Sequence, residues 1–269
     1  LHSTSRRQRQ MCIRDRLESA WNAMEDAGYT RKMLASSRVG VFIGVMYGDY
    51  QHFVSKRGNA HLPATSSYSA IANRISYFFD FHGPSLAVDT MCSSSLTALH
   101  LACESIKRGE IDVAFVGGVN LSIHPNKYLT LSFGRFVSSD GHCRSFGEGG
   151  DGYVPGEGVG MLILKSIGDA ERDNDHIYAC IKGTAINSGG KTSGFTVPSP
   201  IAQSDVIKEV YEKSGIDIQS VSYVETHGTG TSLGDPIEIN GLMKVFPKDG
   251  KKTQYCPIGS VKSNIGHLE

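Results

Sequence analysis

The sequence has no charge of one sign to spare: 27 Lys and Arg face 27 Asp and Glu in 269 residues. A chain so balanced offers no overall basic field to draw in nucleic acid or an acidic membrane surface. No apolar run approaches the about 20 residues that cross a bilayer. There is no C-x-x-C and no paired zinc-like spacing among Cys12, Cys92, Cys103, Cys143, Cys180 and Cys256. Scattered thiols of this kind read as reduced cytosolic residues, one of which is free to be a nucleophile. His124, His142 and Cys143 form no ligand set, so no metal is expected. Glycine, by contrast, is plentiful at 31 residues, and it clusters, which calls for functional or tight loops. Cytoplasmic location is the default expectation.

Residues 1–16 carry Arg6, Arg7, Arg9, Arg14 and Arg16 against Asp15 alone, with no apolar stretch. The missing apolar stretch excludes a signal peptide. A transit peptide remains one reading; the string RRQRQMCIRDR also resembles translated adaptor sequence. The segment is therefore set aside as non-native or disordered, and residues 17–269 are taken as one partial domain. The far end stops after Gly266-His267-Leu268-Glu269 with no turn or cap, so the chain is expected to be truncated.

Periodicity gives an alternating order of elements. A helix over 17–28 places Leu17, Trp21, Met24 and Ala27 on one face, with Gly28 as its stop. A short apolar strand follows at 39–45, a helix at 69–79, and a buried strand at 86–88 that runs directly into Asp89-Thr90-Met91-Cys92. The helix expected over 93–107 carries Leu96, Leu99, His100, Cys103 and Ile106 on one face and Ala98, Leu101, Ala102 and Ser105 on the other. So little charge predicts burial on nearly all sides, between two layers. Strands are expected at 113–119, 159–164, 177–186, 221–224 and 257–261. Ser199 with Pro200 signals the start of a helix that lines up Val206, Ile207, Val210 and Tyr211. A last helix is expected over 235–246. Strand and helix alternate throughout, so the fold class is α/β.

Three places carry chemistry. Cys92 lies where a strand turns into a helix, and unpaired N–H groups at a helix start favour a thiolate and suit an oxyanion. A cysteine there is either a nucleophile or a buried structural thiol, and the residues alone leave both open. His227 follows another strand in His-Gly-Thr-Gly-Thr, where two glycines let backbone approach a ligand and Thr229 and Thr231 add hydroxyls. His267 closes Lys262-Ser263-Asn264-Ile265-Gly266-His267, again after a strand. Asp235 and Glu238, one helical turn apart, read either as an acid–base pair or, better, as a structural network.

Together, Val-Asp-Thr-Met-Cys-Ser-Ser-Ser-Leu (88–96), Glu-Thr-His-Gly-Thr-Gly-Thr (225–231) and Val-Lys-Ser-Asn-Ile-Gly-His (261–267) resemble the three active-site motifs of β-ketoacyl synthases. Residues 17–29 resemble the family's early helix and 146–160 its glycine-rich loop. Met91 and the stretch 147–158 look like the ketosynthases of bacterial modular polyketide synthases served by a separate acyltransferase. The resemblance implies a thiolase-like fold, layered αβαβα and here incomplete at both ends, and a homodimer. It implies that Cys92 takes an acyl group from the phosphopantetheine arm of an acyl carrier protein. A malonyl-type thioester would then lose carbon dioxide with His227 and His267 as neutral hydrogen-bond donors, in polyketide or fatty-acid synthesis. Lys262 would supply positive charge near His267, and Thr229 and Thr231 would bond the pantetheine arm. No tightly bound cofactor is implied. The family's opening strand and glycine-phenylalanine-glycine loop have no counterpart in these residues, so the fragment alone is expected to fold poorly or be inactive. A non-elongating domain that only transfers acyl chains is the alternative; such domains commonly lack the histidine found here as His227. A Cys–His hydrolase would leave Lys262 and His267 unexplained, and a pure interaction domain, such as a dimer scaffold, would keep its function in a Cys92→Ala variant.

Overall fold

The computed structural model describes residues 16–48, 67–246 and 254–269, which resolve into two compact units. The first comprises the chain up to Lys127 together with Glu157–Cys180 and Glu269; the second comprises Tyr128–Gly156 and Ile181–Leu268. Most of residues 1–16 lie outside the described residues.

In the first unit a four-stranded sheet runs in the order β2-β1-β3-β4. Its strands are β1 (Val39–Gly44), β2 (Ser85–Val88), β3 (Val113–Asn120) and β4 (Gly158–Lys165). β1 lies parallel to both β2 and β3, while β4 returns antiparallel along β3. Every residue of β1 is buried. The reason is that both faces of the sheet are covered, so the strand reads as a continuous apolar run instead of alternating. On one face Val39, Val41, Ile43, Val113 and Phe115 meet Ala20 and Met24 of α1 (16–26) and Ala72, Ile75 and Phe79 of α3 (Ser69–Phe79). On the other face Phe42, Ala114 and Val116 meet Ala98 and Ala102 of α4 (Ser94–Lys107). The short helix α2 (Arg31–Leu34) is capped by Thr30, whose hydroxyl accepts from the Met33 N–H, and α6 (Ile167–Arg172) by Ser166 in the same way. α5 (Asn126–Phe133) leads out of this unit.

Two expectations need correction here. α1 turns its buried face by a residue: Ala20 and Met24 are enclosed, whereas Trp21 remains 38% exposed and stacks on Phe79. α4 is not buried on all sides. Its small residues Ala98, Ala102 and Ser105 face inward, and Leu96 on the larger face stays 69% exposed. Small side chains win the sheet face because the helix lies almost on the strands. A Cβ added at Gly44 would sit 2.5 Å from the Ser95 backbone nitrogen, and one at Gly118 would sit 3.1 Å from Ser95 Cβ.

The second unit is built differently. α7 (Pro200–Ser214) begins as expected, with Ser199 accepting from the Ala202 N–H and Pro200 in the first turn. Val206, Ile207, Val210 and Tyr211 are half-buried. A 3-10 turn (Ile218–Ser220) leads to β5 (Val224–Glu225), which pairs in parallel with β6 (Ile258–Gly259). Between them runs α8 (Gly234–Met243), packed so closely on α7 that a Cβ at Gly241 would meet the Gln203 side chain at 2.9 Å. α9 (Lys262–Ile265) follows β6. The strand expected at 177–186 is absent: those residues pair with no other strand. Ile177, Tyr178, Ile181 and Ile186 stand exposed. Apolar β-type residues need a neighbouring strand to satisfy their backbone, and among the described residues none lies alongside.

Candidate active site

The site residues divide between the units. In the first, β2 ends at Val88 and α4 starts at Ser94, and Cys92 stands exposed in the turn between them. Met91 just before it adopts a left-handed conformation, φ +60°. A non-glycine residue held there is strained and needs its surroundings to hold it. Hydroxyls do this. Ser94 Oγ accepts from the Thr90 N–H at 2.9 Å and donates to the Met91 carbonyl at 2.5 Å. Ser93 Oγ donates to the Thr90 carbonyl at 2.9 Å, and Thr90 Oγ1 lies 3.0 Å from both Ser93 Oγ and Thr97 Oγ1. The Asp89 carboxylate accepts from the Met91 N–H at 3.1 Å. The serines that follow Cys92 are thus the lacing of a sharp turn. That turn presents the thiol at the positive end of a 14-residue helix.

In the second unit the parallel pair β5–β6 sends two loops off the same end. One carries Thr226 and His227, the other Ser260 to His267. They are stitched together. Thr226 Oγ1 donates to the Gly259 carbonyl at 2.7 Å, Ser260 Oγ to the His227 carbonyl at 3.2 Å, and the Val261 N–H to Glu225 Oε1 at 2.7 Å. The result sets the His227 and His267 rings 5.3 Å apart and nearly perpendicular, at 85°. His267 is buried, and Tyr153 meets its ring edge-on at 5.0 Å. Its backbone is clamped as a bridge, the N–H donating to Val154 O at 2.7 Å and the carbonyl accepting from the Gly156 N–H at 2.8 Å. This approach requires Gly266, whose φ is +77° and whose added Cβ would lie 2.7 Å from Val154 O.

Asp235 and Glu238 belong to the scaffold. Glu238 accepts from the His227 N–H at 2.7 Å and the Gly228 N–H at 2.8 Å. Asp235 accepts from the Gly230 N–H at 3.1 and 3.2 Å and from the Phe146 N–H at 2.7 Å. With every oxygen engaged by backbone, the pair acts as the expected network, binding the glycine loop to α8. Phe146, held left-handed at φ +57°, was not anticipated. Its ring lies 3.0 Å from where a Gly228 Cβ would be. Along the chain it opens the glycine-rich stretch 146–160, which gave the segment but not the contact.

Thr229 is buried and lies 3.3 Å, oxygen to oxygen, from Thr231, which accepts from the Gly234 N–H at 3.1 Å. Lys262 starts α9 and is half-buried. The pKa of His227 is lowered to about 4. Surrounding protein that displaces water is the first cause, although the residue as a whole remains exposed, and the positive charge of Lys262 is the second, with Asp235 pulling the other way. At neutral pH this imidazole is uncharged, with one nitrogen able to donate a hydrogen bond and the other to accept one.

The arrangement has known counterparts. Residues 3–170 match the family profile described as the N-terminal domain of β-ketoacyl synthase, and residues 178–269 match that of its C-terminal domain. Polyketide synthase PksL of Bacillus subtilis is 59% identical over 263 residues, covering 94% of this chain and 6% of that protein. Polyketide synthase ThaG of Burkholderia thailandensis is 57% identical, covering 94% of this chain and 4% of that protein. Among solved structures, the oxazolomycin ketosynthase domain OzmH KS7 of Streptomyces albus superposes with a TM-score of 0.88 at 53% identity, covering 94% of this chain and 45% of that one. The module 6 ketosynthase of the bacillaene synthase of Bacillus subtilis gives 0.88 at 45% identity, covering 94% and 43%. The chain therefore spans a small part of the curated relatives and under half of the solved domains. Its similarity to them bears out the thiolase-like fold and the resemblance to bacterial polyketide ketosynthases served by a separate acyltransferase. On these matches the chain belongs to the β-ketoacyl synthase family.

Proposed function

We propose that this protein is a β-ketoacyl-[acyl carrier protein] synthase that extends an acyl chain by decarboxylative condensation, with Cys92, His227, His267 and Lys262 as its working residues. The observation that carries the reading is the pair of imidazoles held 5.3 Å apart by the strand-end loops, one of them neutral at physiological pH. In the first half-reaction the Cys92 thiolate attacks the thioester carbonyl of an acyl group on the phosphopantetheine arm of a carrier protein. N–H groups at the head of α4 receive the oxyanion, and the pantetheine sulfur leaves as a thiolate that takes a proton from solvent. A malonyl-type thioester then enters on a second arm, held by Thr229 and Thr231.

Its carboxyl carbon–carbon bond breaks, carbon dioxide departs, and the electron pair becomes an enolate. The enolate oxygen accepts hydrogen bonds from His227 and His267, and the positive charge of Lys262 helps to keep the His227 imidazole neutral. The enolate carbon attacks the acyl-Cys92 carbonyl, forms the new carbon–carbon bond and releases the Cys92 thiolate. The product is a β-ketoacyl carrier thioester. The protein is expected to work as a homodimer in the cytoplasm, with residues 17–269 forming part of a single synthase domain.

The test separates the half-reactions in the full protein. Cys92→Ala abolishes acylation seen by mass spectrometry. His227→Ala and His267→Ala keep acylation and stop release of labelled carbon dioxide from malonyl carrier. If wild-type protein acylates and releases none, the non-elongating alternative is correct.

A further inference from the structure

We infer that Lys127 and Glu269 form a buried positioning pair that sets the place of His267. The inference rests on the reading above, in which His267 serves the decarboxylation. Both side chains are completely enclosed and form an ion pair. Burying two charges costs several kcal/mol per ion unless excellent geometry and further hydrogen bonds repay it. Here the repayment is complete for the ammonium. Besides Glu269, Lys127 Nζ donates to Asn120 Oδ1 at 2.8 Å and lies 4.7 Å from the centre of the Tyr47 ring. A carboxylate, an amide oxygen and an aromatic face thus surround its three N–H bonds. Asn120, buried at the end of β3, also reaches Glu269 from its Nδ2 at 3.5 Å, closing a triangle.

The placement of this triangle along the chain gives it a function. Lys127 is the last residue before the chain first leaves the first unit, and Glu269 belongs to that unit as well. Only Leu268 stands between His267 and Glu269, and so short a span reaches at most about 7 Å. Fixing Glu269 therefore confines His267 from one side, while the bridge to Val154 and Gly156 confines its backbone from the other. Glu157, the residue that follows Gly156, is anchored likewise: its carboxylate accepts from the Ser122 N–H at 2.5 Å. A histidine that must meet an enolate oxygen cannot wander, because a misplacement of about 1 Å costs about 100-fold in rate. A stabilising role alone would be served as well by apolar residues of the same volume.

That last point supplies the test. Glu269→Gln alone leaves a buried unpaired ammonium and is expected to unfold the region. The double variant Lys127→Met with Glu269→Gln removes both charges, keeps their volume, and leaves an amide to satisfy Asn120. It is made in the full protein and compared with wild type and with His267→Ala. The expected result is an unchanged melting temperature, Cys92 acylation within about threefold of wild type, and decarboxylation of malonyl carrier reduced about 10- to 100-fold in kcat with KM unchanged. A double variant that decarboxylates as fast as wild type, while His267→Ala does not, overturns the positioning role and leaves the catalytic reading standing. A His267→Ala protein that decarboxylates normally overturns the catalytic reading, and the inference with it.

Discussion

The two units hold their reactive groups by opposite means. In the first, the turn that presents Cys92 rests on a sheet packed on both faces, with β1 buried throughout and α4 pressed against Gly44 and Gly118. In the second, the enclosed apolar residues of one cluster are only Leu131, Cys143 and Tyr153, and the loops carrying His227 and His267 are bound by carboxylates and hydroxyls. A nucleophile needs one fixed direction, which close packing against a rigid sheet provides. Groups that stabilise charge need an orientation and a polar, partly dehydrated setting, which hydrogen bonds to backbone N–H groups provide.

The contrast is broken most severely at Gly44. Replacing it with alanine drives a methyl group to 2.5 Å from the Ser95 nitrogen. Overpacking of this kind costs about 1–3 kcal/mol, and relief requires the head of α4 to move. Cys92 acylation, followed by mass spectrometry, is expected to fall about 100-fold with a lowered melting temperature. An unaltered acylation rate would show that the helix head is not held by this contact.

A smaller effect, confined to the other unit, is expected from Asp235→Asn. It removes a carboxylate that accepts from the Gly230 and Phe146 N–H groups. A hydrogen bond to a charged group is worth about 2 kcal/mol, equivalent to about thirtyfold in rate if lost wholly from the transition state. Carbon dioxide release should drop by up to that factor, and acylation of Cys92 should stay as in wild type. If both rates fall together, the polar scaffold does not serve the histidines separately.

The mildest change sharpens the electrostatic half of the comparison. Lys262→Met removes a positive charge that helps lower His227, so an NMR titration of that ring should move from about 4 toward the ordinary value of about 6.5. The linkage has a definite sign. Between pH 6.5 and 4 the unfolded chain binds the His227 proton and the folded one does not, so this group's contribution to stability is full above about 6.5 and declines as pH falls to about 4. The variant should narrow that window from its acid side, as equilibrium unfolding at stepped pH would register.

Legibility followed burial. The spans of β1 and β3 stood out because strands covered on both faces are written almost wholly in apolar residues, whereas α3 buries only Ala72, Ile75 and Phe79, and β2 was legible as a short apolar run although Leu86 is exposed. The turn at Cys92 and the loop at His227 were visible as strand ends followed by small residues, and Asp235 and Glu238 as carboxylates one helical turn apart. The strand expected at 177–186 failed because apolar alternation states a preference for pairing without supplying a partner. Burial of α4 on nearly all sides was expected from its lack of charge, but only its small face is drawn inward, because the glycines it lies against belong to strands distant in sequence.

By itself, the order of residues determined the α/β alternation, the position of the thiol at a helix head and the two histidines after strands, since each depends on local geometry and short-range pattern. Tertiary structure alone decided that the His227 and His267 rings stand 5.3 Å apart, that Phe146 is held by Asp235, and that Lys127 is enclosed with Glu269. A charge joins a buried pair only when chain segments separated by 142 positions are brought together, and nothing in the neighbourhood of either residue announces the other. Local sequence chooses elements; distance in space chooses partners.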